Sequence, residues 1–145
     1  MCQSDTIATF PAEEILAKVG EQNTLEVDFA GGKTGVRLSS LRLKTFKRST
    51  QCVRCGRIGN IIGLDLPKGH QKPHLNLYCN NPNKGDSMVL MTKDHIVPKS
   101  RGGKNHISNM QTMCCHCNAA KADKSPEEYT EYLKSVNNQK VLTSV

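Results

Sequence analysis

Four cysteines fall into two pairs of one spacing: Cys52 and Cys55 form one C-x-x-C, Cys114 and Cys117 form another, and 58 residues separate the pairs. Two such knuckles can supply the four thiolates of a tetrahedral structural zinc site, because the short spacing lets both sulfurs of a pair reach one ion while backbone amides approach them. A redox dithiol is the alternative for either pair alone. It belongs at the end of a strand in a βαβ pattern, which this sequence lacks. His116, inside the second knuckle, competes as a ligand only by breaking the matched spacing. For the remaining Cys2, Cys79 and Cys115, a small buried hydrophobe is the ordinary role.

A second group of residues stands between the cysteine pairs. Asp94 and His95 close the run SMVLMTKDH, a loop with Gly102 and Gly103 follows, Asn109 precedes an apolar residue, and Asn118 lies just past the second knuckle. An Asp-His pair alone says little. The combined order is far rarer by chance than its parts. By contrast AGGKT is no phosphate-binding loop, since that pattern needs a glycine where Val27 stands. His70, His74 and His106 sit in loop or strand-edge contexts and are expected to be structural or exposed.

The elements that must position these residues can be read from pattern. Thr9, Pro11, Glu13 and Glu14, then Ile15, Leu16 and Val19 closed by Gly20, predict a short capped helix over about 11–19. TLEVDFA alternates apolar and polar residues, and the pattern resumes in VRL after Gly31 and Gly32, as a hairpin requires. LSSLRLKTFKRS is ambiguous between strand and helix. HLNLYCN and SMVLMTKDH read as strands, and NAAKADK as a helix. Ser125, Pro126 and Glu128 make a capping-box start for a last helix through about Val136, with a frayed end beyond it.

With 37% hydrophobic residues, 4% aromatic and no Trp, the core must be thin, which fits a fold held partly by metal. Residues 1–28 carry six acids against Lys18 alone, a net −5, whereas residues 29–124 carry seventeen Lys and Arg against four Asp, a net +13. The middle of the chain is therefore the expected anion-binding region. Residues 29–64 hold eight bases and no acid. No stretch approaches the roughly 18 apolar residues of a membrane span, and MCQSDTIATF has neither the basic nor the apolar part of a signal peptide. A cytoplasmic protein is expected.

DHIVPKSRGG, then SNMQ, then C-x-x-C-N-x-x-K together resemble the HNH endonuclease superfamily in its form with a four-cysteine zinc site, over roughly residues 51–124. The resemblance implies an α+β fold: a small zinc-stapled ββα-metal core (51–124), an N-terminal helix and β-hairpin extension (1–50), and a C-terminal helix and tail (125–145). It implies that Asp94 and Asn118 hold a catalytic divalent metal, Mg²⁺ or Mn²⁺, that His95 is the general base, and that Asn109 orients the His95 imidazole. DNA is the expected partner, with RNA left open, and small proteins of this kind are frequent in phages and mobile elements.

That chemistry is sound on its own terms. Phosphodiester hydrolysis needs a deprotonated water and compensation of charge growing on the phosphoryl and leaving oxygens. Histidine suits the first task because its ordinary pKa lies near neutrality. A hard cation on carboxylate and amide oxygens suits the second. Lys99, Arg101, Lys104 and Lys121 lie close by in sequence and are expected to grip flanking phosphates. The acidic N-terminal segment is expected either to bind a protein partner or to extend the fold. A zinc-dependent nucleic-acid-binding module without catalysis is the alternative, and it leaves the Asp94, His95, Asn109 and Asn118 set unexplained.

Overall fold

The computed structural model describes residues 4–81 and 86–143, so Cys2 lies outside the described residues. Seven strands and four helices follow one another in a mixed α+β arrangement. The strands are β1 (Ser4–Pro11), β2 (Thr24–Phe29), β3 (Gly32–Arg37), β4 (Ile61–Pro67), β5 (His74–Asn81), β6 (Asp86–His95) and β7 (Met110–Cys114). The helices are α1 (Ala12–Leu16), α2 (Leu41–Arg48), α3 (Cys115–Lys121) and α4 (Pro126–Thr143). Five strands form one antiparallel sheet in the order β1-β4-β5-β6-β7, while β2 and β3 form the separate hairpin expected from TLEVDFA and its glycine turn.

Period-two alternation decides which face of the sheet is dry. In β5, Leu75, Leu77 and Cys79 are buried, whereas His74, Asn76 and Tyr78 between them are not. In β4, Ile62 and Leu64 join the same apolar cluster. Against that face stand Ile15, Leu16 and Val19 from the α1 region, Val27 and Val36 from the hairpin, and Leu43 and Phe46 from α2. Phe46 is wholly buried, so Phe46→Ala belongs to the class of substitutions costing about 3–5 kcal/mol.

The ambiguous segment is thus a helix. Ser40 caps it by accepting a hydrogen bond from the Leu43 amide at 3.2 Å, and helical spacing brings Leu43 and Phe46 to one buried face. The first helix is shorter than its pattern: β1 runs on through Pro11, the Ala12 amide bonds to the Asn60 carbonyl, and no side chain caps α1. The capping box before α4 is formed, with Ser125 N donating to Glu128 Oε1 and Glu128 N donating to Ser125 Oγ. That helix continues to Thr143, well past Val136. Strands β1 and β4 had no clear signature in the sequence. Among the described residues no helix is long and apolar enough to cross a membrane.

Candidate active site and cysteine centre

The Asp-His pair ends β6 and lies beside β7, with Asp94 opposite Gln111 and His95 opposite Met110. The connection between the two strands is held by one side chain. Asn109 Oδ1 accepts the Val97 amide at 2.9 Å, and its Nδ2 donates to the carbonyls of Val97 at 3.1 Å and Lys104 at 3.0 Å. The two glycines have separate reasons. Gly102 has φ +88°, a conformation that L side chains avoid, and a Cβ on Gly103 would lie 1.7 Å from the Val97 carbonyl oxygen. From outside the loop, Arg48 Nη1 donates to the Ile107 carbonyl at 2.9 Å.

Helix α3 then crosses the strand pair. Asn118 Nδ2 donates to Thr92 Oγ1 at 2.8 Å, and Thr92 Oγ1 donates in turn to the Met113 carbonyl. One turn later Lys121 Nζ reaches Asp94 Oδ2 at 3.2 Å and the His95 carbonyl at 3.0 Å. Thr92 and Asp94 share a strand face, and Asn118 and Lys121 share a helix face, so two parallel contacts fix the helix on the sheet. Gln111 Nε2 donates to the same Asp94 oxygen at 2.9 Å. The His95 ring projects toward the loop, where Asn105 Oδ1 lies 2.7 Å from Nε2. An amide oxygen there favours the tautomer with its hydrogen on Nε2 and leaves the Nδ1 lone pair available.

The sulfurs of Cys52, Cys55, Cys114 and Cys117 all lie within 4.8 Å of one another and could hold a metal ion. Tetrahedral zinc with bonds of about 2.3 Å sets neighbouring sulfurs about 3.8 Å apart. Cys55 Sγ and Cys114 Sγ are 3.7 Å apart. The second pair is pre-shaped by its own helix start, since Cys114 Sγ accepts the Cys117 amide at 3.4 Å. The first is pinned to β7 by a bond from Val53 N to the Thr112 carbonyl. Burial pushes the Cys55 thiol up, but hydrogen bonds from Arg57 outweigh it and hold Cys55 at about 6. Burial, then the neighbouring sulfur of Cys114, drives Cys117 strongly upward, and burial also raises Cys114. Four crowded sulfurs do not all ionise without a cation among them.

A strand pair closed by an asparagine-held glycine loop, followed by a helix that opens on a cysteine knuckle, gives a family to look for. Residues 77–134 match the HNH endonuclease family. No curated protein and no solved structure matches the chain. The HNH segment starts inside β5, takes in the Asp-His pair, the loop, the second cysteine pair and α3, and ends within α4. Cys52 and Cys55 lie outside it, so the HNH segment meets two of its four clustered sulfurs from the preceding part of the chain.

Within the HNH segment the structure corrects two expected contacts. Asn109 does not touch the His95 imidazole: its amide is spent on loop backbone, and Asn105, unremarked in the sequence, is the ring's partner. Lys121 does not face solvent to grip a phosphate, because its side chain is 2% exposed and bound to Asp94. Nothing local in N-A-A-K reveals this, since burial of a lysine depends on the strand opposite. Lys99, Arg101 and Lys104 are exposed, with Arg101 paired to Glu128 at 2.9 Å. His116 is exposed and outside the sulfur cluster, His70 and His74 are edge-to-face neighbours, and Cys79 is buried in the apolar core. Gln111, Thr92 and Arg57 were missed because each acts only through a partner distant in sequence.

Proposed function

We propose that the chain is a metal-dependent endonuclease that hydrolyses phosphodiester bonds in DNA, built on a ββα-metal core made of β6, β7 and α3. His95 is the general base, its Nδ1 taking the proton from the attacking water while Asn105 fixes the ring from the other nitrogen. Asp94 and Asn118 are the ligands of one divalent cation, Mg²⁺ or Mn²⁺, and Asn109 positions His95 indirectly by holding the loop that carries Asn105. Zn²⁺ in the four-cysteine centre is structural. Lys99, Arg101 and Lys104 meet flanking phosphates.

One observation carries this reading beyond the family match. Asn118 lies over Thr92, one same-face position before Asp94, and its amide nitrogen is the atom turned to the strand. The Asn118 carbonyl oxygen and Asp94 Oδ1 make no hydrogen bond among the described residues, so two hard oxygen donors remain on the seam between helix and strand pair, next to His95. A hard cation fits such donors. It supplies charge compensation for the phosphoryl and leaving oxygens. Lys121 already places one positive charge against Asp94, so cation affinity is weak until substrate phosphate oxygens join the site.

Supercoiled plasmid incubated with the zinc-loaded protein across a series of divalent metals tests the proposal. Mg²⁺ or Mn²⁺ should support cutting, His95→Ala should lose at least about 10²-fold with its melting temperature unchanged, and Asn118→Ala should lose most activity with every metal. Near wild-type cutting by His95→Ala sinks the base assignment. The Lys121 contact favours one rival, a zinc-dependent nucleic-acid-binding module in which Asp94 is already neutralised. That module would bind the plasmid and cut it with no metal at all.

A further inference from the structure

Of the eight bases between residues 29 and 64, several have partners inside the molecule. Lys33 pairs with Asp28, Lys47 bonds to the Val19 carbonyl, Arg48 holds Ile107, and Arg57 bonds to the cysteine sulfurs. Arg37 and Arg42 do something else. They line a cleft of about 460 Å³ together with Ser40, Lys72 and His74. Residues 66–74 contribute Lys68, His70, Lys72 and His74 and no acid. The fold thus brings two acid-free stretches to one place, and no residue lining the cleft is acidic.

Arg42 is the informative member. Its Nη2 donates to the Leu75 carbonyl, and no carboxylate pairs with it among the described residues. Asp65 is felt only through space, because its oxygens are taken by Thr6 at 2.7 Å, Asn76 at 2.6 Å and the Tyr78 hydroxyl. Burial pushes the Arg42 pKa down, the sign of a cation held away from water without a counter-charge. The first turn of α2 also carries Arg42 and Lys44 and no acid, the reverse of what a helix dipole favours. An anion seated in the cleft would offset both costs.

We infer that this cleft binds the phosphodiester backbone of duplex DNA, as a second contact apart from the His95 site. It rests on the nucleic-acid part of the proposed function and not on the cleavage chemistry. Backbone, rather than base, is the partner because the lining offers cations and a hydroxyl but neither an aromatic ring to stack on nor a carboxylate or amide side chain to read base edges. Arginine's planar fork suits a phosphate at the buried end. Arg37 and Lys72 are exposed and form the rim.

The test is fluorescence anisotropy of labelled duplexes of two unrelated sequences, with the full zinc-loaded chain, over a salt series and without added Mg²⁺ or Mn²⁺. Each phosphate contact contributes about 0.9 to the slope of log affinity against log salt. The pair Arg37→Gln with Lys72→Gln, both on the rim, should lower the slope by about 1.8 and weaken binding at least about fivefold on both sequences. Arg42→Lys, which keeps the charge and loses the fork, should weaken binding less. A control pair with the same change of charge outside the cleft, Lys33→Gln with Lys134→Gln, should leave the slope near wild type. An unchanged slope in the rim pair overturns the inference, as does an equal fall in the control pair or a loss confined to an RNA hairpin probe. Plasmid cutting is read separately: a chain that shows the slope change yet never cuts keeps this inference and sinks the nuclease.

Discussion

Lys121 Nζ lies 3.2 Å from Asp94 Oδ2, and the two side chains are 2% and 7% exposed. Removing one partner of such a pair leaves a buried charge without compensation, which costs about 3–5 kcal/mol. Lys121→Met should therefore destabilise by that order in urea denaturation. Adding Asp94→Asn in the same chain should recover part of the loss. If Lys121→Met unfolds at the wild-type midpoint, the pair contributes nothing, and Lys121 returns to the list of phosphate contacts.

Asn109 makes three side-chain hydrogen bonds to the loop between β6 and β7 and none to His95. Asn109→Ala should speed hydrogen exchange at the Val97 amide, which loses its acceptor. It should also reduce cutting by releasing the segment that carries Asn105. Asn105→Ala should reduce cutting with Val97 still protected. Equal exchange at Val97 in Asn109→Ala and wild type would show that the loop is held by its glycines alone.

The cysteine centre joins the segment after α2 to the start of α3, so its loss should be felt by the whole domain. Structural zinc contributes on the order of 10 kcal/mol to folding. Cys114, fully buried and also the cap of α3, should be the most damaging to replace, whereas the exposed Cys55 leaves three ligands in place. Thermal melting with zinc analysis should rank Cys114→Ser below Cys55→Ser. Chelation should lower both the melting temperature and the helix signal. A Cys114→Ser chain that keeps its zinc and its melting temperature shows that the metal is held elsewhere.

Tyr78 donates its hydroxyl to Asp65, and burial first, then this bond, pushes the phenol up to about 12. Its folded pKa lies above the ordinary value of about 10, so folding holds the proton. The stabilisation is complete below about pH 10 and is lost as the pH rises toward 12. Denaturant titrations in that window should show stability falling in wild type and falling less in Tyr78→Phe. The phenolate absorbance of Tyr78→Phe should also lack the latest-titrating component. Identical alkaline losses in the two chains would place Tyr78 outside the Asp65 cluster.

The sequence by itself determined the features that depend on local spacing. Two C-x-x-C knuckles announce a four-sulfur centre because both sulfurs of each pair are fixed by neighbouring backbone, and the four do cluster. DHIVPKSRGG announces the strand end and its turn because Gly102 and Gly103 are demanded by backbone geometry, and S-P-E-E announces the start of α4 through its capping box. Only the tertiary structure decided which charges are free. Lys121 and Lys104 look alike in the chain, yet one is buried on Asp94 and the other is exposed, because Asp94 stands opposite α3 and nothing stands opposite Lys104. Strand β1 was illegible for the same reason: Thr6 and Ser4 carry no apolar alternation, and the strand is held by β4 and by the bond from Thr6 to Asp65, 59 residues away. The cleft of Arg37, Arg42, Lys72 and His74 is likewise made by packing the β2–β3 hairpin and α2 near the start of β5. A buried charge or a shared cleft is set by partners remote in the chain, and local pattern holds no record of them.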